Sequence, residues 1–323
     1  MKIYFAPLEG ITGYIYRNIY EDHFGKGRID KYFTPFIVPK EKTFLTTKEI
    51  KDISMEHNQE MEVVPQILTN DVRGFLQTAH ALKEQGYDTV NLNLGCPAGT
   101  VVSKGRGSGF LNDTKKLDEF FSQVMEQTHV KVSIKTRIGK EFPEEIEELT
   151  EIFNKYKFEE WIIHPRVRED FYKNTPNMAA FAYAFEHSKN TVCYNGDIFT
   201  IGDYQKIVQE YPSLDKVMLG RGLVANPGLL GELHGNSPMT KDDLYDFLND
   251  LRDAYLEELS GEKDVLFRVK ELWGYMQTMF EEPKKDWKKI RKAQTLDAYQ
   301  GAMEHLLETC EFVENAGFAA SMF

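Results

Sequence analysis

The feature that most restricts the fold is a rhythm. Short apolar runs rich in Val, Ile, Tyr and Phe recur at 3–7, 32–38, 62–67, 89–94, 130–136, 160–164, 191–194 and 216–219. Each has strand length, and helix-like stretches separate most of them. Residues 72–85 carry Phe75, Leu76, Ala79 and Leu82 at helical spacing, and 117–125, 146–156 and 201–211 behave similarly. Eight strands alternating with helices over about 230 residues are the count and length of a (β/α)8 TIM barrel. A doubly wound sheet typically needs fewer strands and a Gly-rich turn after its first. Here that turn reads Leu8-Glu9-Gly10-Ile11-Thr12-Gly13, which is not GxGxxG.

After Leu233-His234-Gly235-Asn236-Ser237-Pro238 the rhythm changes, and no convincing strand follows Thr240. Leu244, Phe247, Leu248, Leu251, Tyr255 and Leu259 form one helical stripe; Leu266, Val269, Leu272, Trp273 and Met276 form another, and 296–313 a further one. The expected architecture is an α/β TIM-barrel catalytic domain over 1–235 and an all-helical domain over 236–323.

Composition narrows the class. An apolar fraction of 41 % excludes disorder, and 39 Lys+Arg against 51 Asp+Glu, a net charge of -12, excludes a surface coated for indiscriminate nucleic-acid binding. Cys96, Cys193 and Cys310 include no CxxC pair and no zinc-like spacing, which suits a reducing compartment and predicts no metal. The first apolar run is too short for a signal peptide, and no stretch approaches a membrane span. The expectation is a cytoplasmic protein without membrane contact, monomeric and with no protein partner.

In a barrel of this kind, functional groups sit at the C-terminal ends of the strands. Those positions hold Pro7-Leu8-Glu9, Gln66, Asn93 with Cys96, Lys135 with Arg137, His164 with Arg166, Asn195-Gly196-Asp197 and Gly220-Arg221-Gly222. Cys96 precedes a glycine-rich loop, 99–109, that can close over a ligand, and Lys104 and Arg106 in it can meet phosphates. An incidental cysteine beside a flexible loop fits the same spacing. Lys135 interrupts an apolar run, so it is matched either to a ligand or to an internal carboxylate. His164 suits a ligand contact or a satisfied core histidine equally. Asn195-Gly196-Asp197 and Gly220-Arg221-Gly222 follow the seventh and eighth runs, where many barrels bind phosphate.

Taken together these residues resemble one family, the tRNA-dihydrouridine synthases. The resemblance rests on Ala6-Pro7-Leu8-Glu9-Gly10-Ile11-Thr12, Pro65-Gln66-Ile67, Asn93-Leu94-Gly95-Cys96-Pro97 with Gly105-Arg106-Gly107-Ser108-Gly109, Lys135-Thr136-Arg137, His164-Pro165-Arg166, Asn195-Gly196-Asp197-Ile198 and Gly220-Arg221-Gly222, in family order. The chain departs from the family pattern in having Leu8 where Met is common, Pro165 after His164, and Thr12-Gly13 in place of Thr-Asp. The resemblance implies FMN as cofactor and NADPH as reductant. It implies that Pro7, Leu8 and Glu9 border the flavin, that Gln66 and Lys135 meet its polar edge and ribityl region, and that His164 lies near it. Asn195, Gly196, Asp197, Gly220 and Arg221 then hold its phosphate, and Cys96 is the general acid. The implied reaction adds hydride to C6 and a proton to C5 of a uracil in tRNA. A thiol with an ordinary pKa of about 8.5 carries its proton at neutral pH, as that role requires. Ribosomal RNA and a free small pyrimidine are the alternative substrates.

An acidic protein that holds RNA needs a local cationic surface. The segment Pro283-Lys284-Lys285-Asp286-Trp287-Lys288-Lys289-Ile290-Arg291-Lys292 has six basic residues and one acid, within a region that is otherwise acidic. On composition alone such a run is a solvated helix face; the resemblance makes it an RNA contact. The expected RNA-binding residues are Lys284, Lys285, Lys288, Lys289, Arg291 and Arg268, with Asn93, Lys104, Arg106 and Arg166 nearer the reacting base.

Overall fold

The computed structural model describes residues 1–40, 44–313 and 316. Residues 314–315 and 317–323 of the expected helical domain lie outside the described residues. The chain divides into two compact units. One comprises Met1–Pro7, Asp30–Asp197 and Ser213–Met218; the other comprises Leu8–Ile29, Ile198–Pro212 and the chain from Leu219 on.

The first unit carries the sheet. Its strands are β1 (Lys2–Phe5), β2 (Lys31–Phe33), β3 (Val63–Val64), β4 (Gln66–Ile67), β5 (Thr89–Leu94), β6 (Lys131–Gly139), β7 (Trp161–Val167), β8 (Val192–Tyr194) and β9 (Lys216–Leu219, whose last residue begins the second unit). They run in the order β3-β2-β1-β9-β8-β7-β6-β5-β4, and the recorded pairings are parallel. The two ends of that order, β3 and β4, flank Pro65 in the chain, so they are one expected strand broken in the middle and the sheet meets itself as a barrel. The break has a local cause: proline has no N–H to give the ladder. Its carbonyl still accepts from Asn91 N at 2.9 Å, while Gln66 N turns to the Thr34 hydroxyl at 3.1 Å. Proline also shortens β2. The apolar run 32–38 reads as one strand, but Pro35 ends the ladder at Phe33, and Ile37 then rejoins it as an isolated bridge to Ile67.

Strand residues are buried almost continuously, as a parallel sheet covered by helices requires. Helix Val72–Glu84 starts where Asp71 accepts from Gly74 N, and helix Thr114–Gln127 where Asp113 accepts from Lys116 N. Glu160, fully buried just before β7, accepts from the Tyr4 hydroxyl at 2.9 Å and from Lys31 at 3.2 Å, with Lys216 3.8 Å away. These residues stand toward the N-terminal ends of their strands, the end that carries stability rather than chemistry.

The second unit is helical. Tyr14–Tyr20 packs against Lys241–Glu258 through Tyr16 and Phe247, whose rings meet edge to face at 5.9 Å. Lys241–Glu258 is started by a capping box of Thr240 and Asp243. Helices Glu262–Met276, Lys284–Lys292 and Leu296–Thr309 follow, and Trp273 Nε1 of the first donates to Tyr299 of the last at 3.0 Å. No described helix is long and apolar enough to cross a membrane.

Candidate functional site

Register brings the polar strand residues together. Cα partners in a parallel pair point to the same side, and the ladder pairs Gln66 with Asn91, Asn93 with Lys135, and Arg137 with His164. A chain of side-chain hydrogen bonds runs through them. Asn91 donates to Ser133 at 2.8 Å, Gln66 Nε2 donates to Asn91 at 2.8 Å, and Asn93 Nδ2 donates to Gln66 Oε1 at 2.7 Å. The side-chain oxygen of Asn93 accepts from Gly95 N at 3.0 Å and Cys96 N at 2.9 Å. Ser108 closes the far side, its amide (3.1 Å) and hydroxyl (2.8 Å) both donating to Cys96 O. Cys96 is half-buried, and Lys135 is half-buried in the adjacent strand.

The loop after Cys96 is folded rather than open. It holds a helical turn at Gly99–Val102 and a 3-10 turn at Gly107–Asn112, and Asn70 ties it down by donating to Lys104 O at 3.0 Å. Arg106 reaches Asn70 Oδ1 at 3.5 Å, and the Lys104 side chain is exposed. Gly107 and Gly109 serve close packing, whereas Gly99 faces open space. Gly107 sits at φ 56°, and a Cβ there would lie 2.8 Å from Cys96 O.

Around His164 the partners are ionic. Arg166, 2 % exposed, donates through both terminal nitrogens to Asp197 and through Nε to Asn174 O at 2.5 Å. Its Nη1 also lies 3.0 Å from His164 Nε2. A guanidinium can only donate, so His164 Nε2 accepts and the ring carries its proton on Nδ1. Arg137, which the sequence marks without a role, donates to Gly95 O, Val167 O and Phe171 O at 2.8–3.0 Å. It thereby fixes the loops after β5 and β7, and burial pushes its guanidinium down to about 10. Tyr172, also unforeseen, stacks on His164 with centroids 6.0 Å apart and lies under Arg137. Asn195 donates to Met218 O at 2.8 Å. Gly196 admits no side chain, because a Cβ would stand 2.0 Å from the buried Tyr194 hydroxyl.

The second unit holds the other expected residues. Leu8 N donates to the Thr12 hydroxyl at 2.8 Å, and Gly10 turns that segment at φ 83°. Glu9 is exposed at its tip, and Pro7, in the first unit, is half-buried. Arg268 donates to Gly10 O, so its guanidinium braces this turn. Gly220 precedes the short helix Arg221–Ala225, where Arg221 lies over the Phe199 ring and Gly222 passes Ile198 O so closely that a Cβ would be 2.1 Å away.

Lys284, Lys285, Lys288, Lys289 and Arg291 lie on one helix, where all five are exposed. An open groove of about 720 Å³ runs beside it, lined by Lys285, Lys288, Lys289, Lys292, Thr295 and His305 among others. Lys289 donates to Asp286 at 2.8 Å, which holds that carboxyl below its ordinary value.

The donor chemistry of each unit suits a polar ligand group. In the first unit, an ammonium at Lys135 and amide side chains at Gln66, Asn93 and Asn195 can meet a carbonyl edge. Within the second unit taken by itself, backbone amides at Gly220-Arg221-Gly222 and the Arg221 guanidinium can meet a phosphate. Among the described residues no group of three or more His, Cys, Asp or Glu is placed to hold a metal ion.

Comparison with known proteins follows the same lines. Residues 4–317 match a family model described as dihydrouridine synthase. The chain is 27 % identical over 230 residues to tRNA-dihydrouridine synthase B of Pasteurella multocida, covering 71 % of this chain and 67 % of that one. It is 24 % identical over 330 residues to tRNA-dihydrouridine(16) synthase of Vibrio vulnificus, covering 98 % of this chain and 100 % of that one. Among solved structures it superposes on morphinone reductase in complex with tetrahydroNAD at a TM-score of 0.53, with 12 % identity over 73 % of this chain and 87 % of that one. Histamine dehydrogenase from Rhizobium gives a TM-score of 0.55 and 13 % identity, over 87 % of this chain and 51 % of that one. At these identities the structural likeness concerns the fold alone.

Proposed function

This chain belongs to the dihydrouridine synthase family, and from that premise we propose that it reduces uridine to 5,6-dihydrouridine in tRNA, with FMN bound and NADPH as reductant. The observation that carries the reading is the fastening of Cys96. Asn93 holds the amide of this thiol-bearing residue and Ser108 its carbonyl, at the C-terminal end of β5 and one strand from Lys135.

The chemistry that FMN would supply here, once reduced, is the hydride for uracil C6. Cys96 Sγ gives its proton to C5, and Asn93 keeps the thiol at one height above the barrel by holding both Gly95 and Cys96 amides. By the family resemblance Gln66 and Lys135 would meet the polar edge of the flavin, Pro7, Leu8 and Glu9 would border it, and His164, whose ring Arg166 holds, would lie near it. Asn195, Gly196, Gly220 and Arg221 hold the phosphate. Asp197 serves there through Arg166, whose charge it balances. The uridine leaves its stack to reach this depth, so affinity comes from elsewhere, and the lysines of Lys284–Lys292 supply phosphate contacts.

The test is direct. The purified protein, supplied with FMN and NADPH, is given tRNA from cells lacking it, ribosomal RNA, or free uridine, and dihydrouridine is measured. Dihydrouridine in tRNA alone is the expected result. Reduction of free pyrimidine with none in tRNA overturns the reading, and reduction of ribosomal RNA alone moves the substrate.

A further inference from the structure

The loops that follow β6 and β7 expose large aromatic side chains at the catalytic end of the barrel. Phe142 is 63 % exposed and Phe171 is 39 % exposed, and the two loops are joined by Glu169 N donating to Lys140 O at 3.2 Å. Neither ring belongs to the core, and the reaction described above uses neither. Phe171 also stands at φ 49° and ψ −97°, a backbone that glycine adopts freely and a Cβ-bearing residue adopts only where its surroundings hold it. The surroundings do hold it. Its N–H donates to Arg168 O at 3.1 Å, its carbonyl accepts from Arg137 at 2.8 Å, and the Arg168 guanidinium lies over its ring, 5.3 Å from the centroid. The result is an apolar ring held by its backbone and partly open to solvent, beside a guanidinium that is ion-paired with the exposed Glu169.

We propose that Phe171, with Phe142 on the joined loop, is a stacking platform for an unpaired nucleobase adjacent to the uridine that enters the site. The proposal rests on the tRNA reading above. The occupant follows from the chemistry. A flat ring beside a guanidinium matches a base and its phosphate, the combination by which single-stranded nucleic acid is held, with the phosphate taking the place of the exposed Glu169 carboxylate on Arg168. A uridine drawn out to Cys96 also unstacks from its neighbour and leaves that neighbour with a bare face. A ring ordered before binding meets that face with little further loss of side-chain freedom.

The experiment uses FMN-loaded protein and single-stranded oligonucleotides with 2-aminopurine directly 5′ or directly 3′ of one uridine, plus an end label for anisotropy. Quenching of 2-aminopurine in one of the two placements is expected. Phe171→Gly, whose backbone suits the left-handed conformation, keeps the thermal midpoint, loses the quenching and weakens binding roughly tenfold. Phe171→Trp restores both. Binding by anisotropy without quenching in either placement, or quenching that survives Phe171→Gly, overturns the platform and leaves the tRNA reading standing. No binding of oligonucleotide or of tRNA overturns both.

Discussion

At Cys96 the backbone is tied on both sides, to Asn93 before it and Ser108 after it, while the side chain stays half-buried. Cys96→Ala therefore keeps the fold and the bound-flavin spectrum, and it lowers dihydrouridine formation by about 10²- to 10⁴-fold, the usual range for a positioned proton donor. Single-turnover assay with prereduced enzyme checks this; wild-type rates would remove Cys96 from the role. Gly196 offers a second measurement. In Gly196→Ala the new methyl meets the buried Tyr194 ring, and the protein loses stability by about 1–3 kcal/mol, as overpacking commonly costs. Urea unfolding of Gly196→Ala beside the Gly196→Ala/Tyr194→Phe pair shows whether removing the hydroxyl returns part of that loss. The sequence displayed Cys96, Asn93, Gln66 and Lys135 as unusual strand endings. It could not display that Asn93 holds Cys96 while Gln66 holds Asn93, nor that Arg166 is committed to Asp197, because most of those partners lie on different strands.

Among the elements, the strands and helices follow their local rules, and the breaks follow proline. Pro35 and Pro65 divide the largely apolar runs 32–38 and 62–67, so a reading by hydrophobic pattern makes each one longer than it is. The helices run close to their stripes. Lys241–Glu258 begins where Thr240 and Asp243 cap one another, and the Thr240 hydroxyl and amide hold the Asp243 carboxyl below its ordinary value. A carboxyl lowered by folding stabilises the fold above its unfolded pKa of about 4, and that help is lost as pH falls through the lower folded value. Asp243→Ala is thus less stable than wild type near neutrality, and the difference in thermal midpoint closes in acid. A constant difference across that range would reject the assignment.

The helix Lys284–Lys292 makes a prediction of another kind. Neutralising Lys284, Lys285, Lys288 and Lys289 weakens tRNA binding and flattens the plot of log affinity against log salt, by about 0.7–0.9 for each phosphate that a lysine no longer neutralises. An unchanged slope would return the cluster to a solvated face. Its charge was plain in the sequence. The pairing of Lys289 with Asp286, which gives one of the four an anionic neighbour, was not. Arg268 and Lys270 each donate to a backbone carbonyl, of Gly10 and of Ala293, contacts that spacing along the chain does not display.

The barrel as a whole is closed at its quiet end by Glu160, which joins Tyr4 of β1, Lys31 of β2 and Lys216 of β9 to the start of β7. Burial first, and Glu160 beside it, raise the Tyr4 phenol far above its ordinary value, so that hydroxyl stays a donor. Glu160→Gln takes the nearer anion from Lys31, which keeps Glu62 at 3.8 Å, and removes the Glu160 carboxylate from Lys216, and a loss of about 3 kcal/mol in urea unfolding is expected. Activity per folded molecule stays the same, since none of these residues reaches the catalytic end. Unaltered stability would show that the two lysines find enough water without Glu160. Periodicity along the chain was enough for the barrel, the helical C-terminal region and the polar strand endings, because an element and the faces it presents depend on residues a few positions apart. Where the sheet closes, which amide holds which loop, and which cations are already spent depended on register between strands, where Asn93 meets Lys135 and Arg137 meets His164. Those contacts join residues dozens of positions apart, and spacing along one chain carries no record of them until the strands are laid side by side.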